Sequence, residues 1–128
     1  MVGAYRKHFL PLESNPEVFN ELIYSLGASQ EIAFEDIFTF DEPDLLPRPT
    51  LALIMVFPAT AAYEARKAAV ESARAEYTGS GHKEPAIWFK QTIHNACGLY
   101  AILHALSNGS RRFIGQWKET FSISRLFN

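Results

Sequence analysis

The sequence predicts an α/β fold. Three observations predict it: a continuously apolar run from Leu51 to Phe57, stretches of helical period on either side of it, and a short apolar run, Ala86 to Lys90, that leads into another apolar helix. A run that is apolar at every position and is stopped by a proline, here Pro58, reads as a strand buried on both faces. Strand, helix, strand and helix in succession are the pattern of an α/β arrangement. At 128 residues and 48% hydrophobic, the chain is long enough for one modest domain with its own core.

The first element is a helix that begins after Asn15. Asn15 suits the cap, Pro16 the first helical position, and Glu17 complements the positive end of the helix dipole. Val18, Phe19, Leu22, Ile23 and Leu26 then fall on one face, and Gly27 is the expected stop. From Ala28 to Pro49 the pattern loosens. Ile32, Phe34, Ile37, Phe38 and Phe40 alternate with acids, and Pro43, Pro47 and Pro49 forbid a long helix, so a surface segment pinned by aromatics is expected. Between His8 and Pro47 lie nine carboxylates (Glu13, Glu17, Glu21, Glu31, Glu35, Asp36, Asp41, Glu42 and Asp44) and no lysine or arginine. Alone, such a run reads as a solvated acidic face.

After the apolar run, Thr60 can cap a second helix in which Tyr63, Val70 and Tyr77, with Ala69 and Ala73 beside them, make a stripe opposite Glu64, Lys67, Glu71 and Arg74. That stripe reads as core packing. Thr78 to His82 is a glycine-rich loop without the Gly-Lys-Ser/Thr ending of a phosphate cradle. The short strand Ala86 to Lys90 then delivers Gln91 to the last helix, whose buried face is Ile102, Leu103 and Leu106 and whose end is Asn108-Gly109.

The stretch from Gln91 to Leu106 holds Cys97, the only cysteine. With Asn95 as cap, Cys97 falls in the first helical turn, where the dipole favours thiolate, the nucleophilic form. Gln91, six residues upstream, can fold back and aim an amide N–H at an oxygen beside the sulfur, the geometry of an oxyanion donor. The competing reading makes Cys97 a small buried hydrophobe, since free cysteine is among the most buried residue types.

This stretch resembles the active-site segment of the ubiquitin carboxyl-terminal hydrolases, papain-like cysteine peptidases in which Gln-Thr-Ile-Gly-Asn-(Ser/Ala)-Cys-Gly precedes an apolar helix with His-Ala. The chain keeps Gln91, Thr92, Ile93, Asn95, Cys97, Gly98, His104 and Ala105, and departs at His94, where the family usually has glycine. The order Leu12-Glu13-x-Asn15-Pro16-Glu17-Val18 is similar to the opening of the same family. By this resemblance, residues 1–109 are the N-terminal half of such a domain, with an incomplete sheet flanked by helices, and residues 110–128 are a divergent C-terminal tail.

The resemblance implies a thiol-dependent deubiquitinase that cleaves adducts at the ubiquitin C-terminal glycine, with Cys97 as nucleophile and Gln91 as stabiliser of the transition state. Ubiquitin is the implied partner, and the acidic stretch suits its basic C-terminal tail. The family supplies its catalytic histidine and aspartate from strands downstream of the cysteine. Neither is found in these 128 residues, which implies weak or no turnover by the chain alone and leaves two alternatives, a non-catalytic ubiquitin-binding fragment and a truncated gene product. Four histidines are candidates for a substitute base. His104 lies seven residues past Cys97, about 10 Å along the helix axis, and fits a packed helix position. His94 should point away from the first turn, and His8 and His82 have no spacing that argues for them.

Other classes are disfavoured. A net charge of −2 does not suit a nucleic-acid binder. One cysteine excludes an internal disulfide or a zinc ribbon, no spacing suggests a metal, and no cofactor is expected. The longest apolar run is far shorter than a membrane span, and the start lacks a signal-peptide core. A soluble cytoplasmic monomer, with the nucleus as a second compartment, is the expectation.

Overall fold

The computed structural model describes residues 7–81 and 83–109. They fall into two units: the described residues up to Ile54 together with those from Trp88 onward, and Met55–Ile87.

In the first unit, the helix expected after Asn15 forms as its end signals dictate. Helix α1 is Pro16–Ser25, and the Asn15 side chain accepts the Glu17 N–H at 2.9 Å. At its other end Gly27 takes φ 94°, the Gly27 N–H reaches the Tyr24 carbonyl, and the Ala28 N–H reaches the Ile23 carbonyl. Those two bonds satisfy carbonyls that the helix leaves open, and the turn needs a residue without a Cβ penalty at the left-handed position. Phe19 and Ile23 face inward and join Ala28, Ile32, Ile102 and Leu106 in the main core. Tethers from α1 then hold the chain that follows. Asn20 exchanges two hydrogen bonds with the Phe34 backbone, at 2.7 and 3.1 Å, and the Tyr24 hydroxyl donates to the Ile32 carbonyl. Phe34 also packs edge-on against Phe19. The segment is pinned by Ile32 and Phe34, whereas Phe38 and Phe40 are exposed.

Strand β1, Lys7–His8, pairs in parallel with strand β2, Ile93–His94, and the last helix, α3, runs Cys97–Gly109 with Leu99, Tyr100, Ile102, Leu103 and Leu106 buried. Ile93, Ala96 and Tyr100 make a second small core with Phe89 against it. Helices with a parallel two-stranded sheet are the coarse α/β class that the sequence predicts.

The two strands expected from apolar runs do not form. Leu51 to Phe57 is irregular, and Leu53 and Met55 are 64% and 81% exposed. A strand needs a hydrogen-bonded neighbour, and the only ladder among the described residues joins β1 to β2. Ile54 alone in that run packs against the main core. Ala86 to Lys90 is not a strand either, because the Phe89 N–H goes to a side chain, Nε2 of His104, rather than to a neighbouring backbone.

In the second unit, helix α2, Ala61–Ser72, starts as expected, with the Thr60 hydroxyl accepting the Tyr63 N–H. Its stripe is not core. Every residue of α2 is exposed, and Tyr77 lies beyond its end. Within this unit Tyr63 packs against the edge of Phe57, a contact that leaves both residues exposed. Tyr77 instead donates its hydroxyl to Glu84, which raises its pKa. No helix among the described residues is long and apolar enough to cross a membrane.

Candidate active site

The site begins where β2 turns into α3. The Tyr100 N–H bonds the Ala96 carbonyl at 3.0 Å, so Ala96, not Asn95, is the residue at which the helix starts, and Cys97 is its first helical residue. The expected cap is displaced by one position. Asn95 stands just before it at φ 58°, a left-handed conformation that asparagine tolerates better than most residues. Burial explains the displacement: Ala96, 2% exposed, sits in the small core with Ile93 and Tyr100, and that contact sets where the helix begins. An alanine side chain has no oxygen to bond the first-turn N–H groups, so these and the dipole remain directed at the region around Cys97.

Cys97 is a free, exposed thiol, not the buried hydrophobe of the competing reading. Gly98 lets another segment close over the same turn, since a Cβ there would stand 3.1 Å from the Leu12 Cβ. Gln91 is half-buried, and its Nε2 donates to the Ile93 carbonyl at 2.9 Å. An amide nitrogen carries two N–H bonds, so this contact orients the group and uses one of them.

Two side chains of α3 fasten the Gln91 segment, one on each side of it. His104 Nε2 accepts the Phe89 N–H at 2.9 Å, and the His104 ring stacks on Trp88 at 5.0 Å between centres. The Tyr100 hydroxyl accepts the Thr92 N–H at 3.1 Å and lies 3.3 Å from the Thr92 hydroxyl. The chain that carries Gln91 is thereby tied to the helix that carries Cys97. Sequence reasoning placed His104 as a packed helix residue and missed Tyr100, whose only signal was an aromatic inside an apolar helix. Partial burial pushes the His104 pKa below the usual histidine range, in keeping with a neutral ring whose Nε2 is an acceptor.

The His94 ring packs edge-on against His8, and His82 lies outside the described residues. Among the described residues no three His, Cys, Asp or Glu side chains gather as for a metal ion. All nine carboxylates of the early segment are exposed.

Over residues 9–127 the chain matches the family described as ubiquitin carboxyl-terminal hydrolase, family 1. The chain belongs to that family. This hydrolase family match extends into the tail beyond residue 109, which lies outside the described residues. Among individual hydrolases the chain is similar to ubiquitin carboxyl-terminal hydrolase YUH1 of Saccharomyces cerevisiae, at 47% identity over 102 residues, which is 77% of this chain and 39% of that protein. It is 41% identical over 108 residues to the ubiquitin carboxyl-terminal hydrolase of Aplysia californica (82% of this chain, 47% of the relative). The corresponding hydrolase of Drosophila melanogaster is 37% identical over 100 residues (77% and 44%). The chain therefore spans less than half the length of these hydrolases. No solved structure matches it.

Proposed function

We propose that these residues are the nucleophile-bearing part of a papain-like hydrolase that cleaves adducts at the C-terminal glycine of ubiquitin. Cys97 attacks the carbonyl carbon, and the Gln91 amide, with the first-turn N–H groups of α3, receives the oxygen as its charge develops. The observation that carries this reading is an exposed thiol at the first helical position of α3, in a chain whose family is that of these hydrolases. Exposed carboxylates along the early segment support attraction of a basic ubiquitin tail.

General acid–base help from a histidine contributes roughly 10²- to 10⁴-fold to such a reaction. In the family that histidine comes from downstream of the cysteine, and His104, the histidine on α3 itself, is committed to the Phe89 N–H. Covalent capture is therefore the expected signature of the 128 residues alone. Ubiquitin bearing a C-terminal electrophile should form a one-to-one adduct, mapped by mass spectrometry to Cys97, and Cys97→Ser should form none. Capture should slow with added salt, which screens the carboxylates. An adduct rate no greater than that of a small electrophile without ubiquitin would refute the proposal. Salt-sensitive ubiquitin binding with no capture at Cys97 would favour a binding fragment instead.

A further inference from the structure

The short ladder sets two histidines side by side. His8 and His94 are Cα partners in the parallel pairing, so their side chains leave the same face of the pleat. Their rings stand 5.1 Å apart between centres, with 65° between the planes, and both residues are exposed. The backbone holds this spacing independently of the rings. The Phe9 N–H donates to the His94 carbonyl at 2.9 Å, and Ile93, 3% exposed, anchors β2 in the small core. Neither imidazole has a part in the function proposed above.

We propose that His8 and His94 form a two-histidine chelate for a borderline divalent transition cation such as Zn²⁺, Ni²⁺ or Cu²⁺. Imidazole nitrogen matches these ions, whereas Mg²⁺ and Ca²⁺ take oxygen. A cation about 2.1 Å from one nitrogen of each ring stands about 3.2 Å from each ring centre, and centres 5.1 Å apart then subtend about 105°, close to the tetrahedral angle. Both residues are exposed and the ladder has already fixed their backbones, so only side-chain torsions remain to be set when a cation binds. Among the described residues no third His, Cys, Asp or Glu completes a cluster, so water fills the remaining positions. The site binds more weakly than a closed four-ligand site and prefers Cu²⁺ to Ni²⁺ or Zn²⁺.

Calorimetric titration of the full chain with zinc chloride tests the proposal. One equivalent should bind, and His8→Ala and His94→Ala should each weaken binding by at least about tenfold, the loss that even an outer partner of a metal ligand brings. Cys97→Ser should leave the affinity unchanged. Unaltered affinity in either histidine variant, or a loss confined to Cys97→Ser, would overturn the chelate. A second measurement needs no histidine variant: Zn²⁺ should shield both His8 and His94 of the unaltered chain from diethyl pyrocarbonate, and undiminished modification of either would sink the idea. Cu²⁺ bound to the Cys97→Ser chain should show two imidazole nitrogens by electron paramagnetic resonance, and a spectrum without nitrogen coupling would be an equal refutation.

Discussion

Helices α2 and α3 are of similar length and both were legible from their sequences, yet they end in opposite circumstances. Five residues of α3 are buried; none of α2 is. Periodicity and a capping residue say that a segment can be helical, because they concern bonds within about one turn. They are silent on what will cover the apolar stripe. The stripe of α3 meets Phe19 and Ile23 of α1, whereas α2, with Tyr63 against the edge of Phe57, buries none of its residues. Local pattern fixes the element, and the supply of partners fixes its contribution to stability.

Paired substitutions sharpen that contrast, and the core pair should show the largest effect. Ile102 is 0% exposed, so Ile102→Ala should cost about 2–5 kcal/mol in denaturant unfolding. Val70→Ala on α2, 45% exposed, should change stability by less than about 0.5 kcal/mol. Equal effects would break the comparison. The caps come next. Asn15→Ala should cost roughly 1 kcal/mol of the unfolding free energy of the α1–α3 core, while Thr60→Ala, which removes an equivalent bond, should lower helix content by circular dichroism without moving that transition.

The smallest expected effect is one of pH. His104 has a lowered pKa in the folded chain, so its contribution is complete above the unfolded histidine value of about 6.5. Stability should fall as pH drops below that value toward the folded pKa, since a protonated Nε2 cannot accept the Phe89 N–H. His104→Gln should flatten this slope in a series of melts between those limits. A slope unchanged by the substitution would assign the effect to other groups.

The same contrast explains how much was legible. Asn15, Pro16 and Gly27 each act on their own helix end, and α1 formed as they indicated. The exposed acidic segment and the first-turn position of Cys97 were likewise readable. The strands were not. Leu51 to Phe57 has strand composition, but a strand is a relation between two segments, and the ladder that does form joins two-residue pieces with no comparable signal of their own. Asn95 shows a finer limit. Asparagine suits both a cap and a left-handed turn, and the choice was made by burial of Ala96, a neighbour whose type carries no cue. The Tyr100 clasp on Thr92 was hidden for the same reason, since a hydroxyl does not announce its partner.

The pairing of β1 with β2 has a consequence for the order of assembly. Its two members lie 86 residues apart, and contacts of that separation form slowly. Helices α1 and α3 can nucleate locally, but the turn that presents the thiol is completed when β1 pairs with β2. Strand β1 is thus a structural support for a thiol that follows it by about 90 residues of chain.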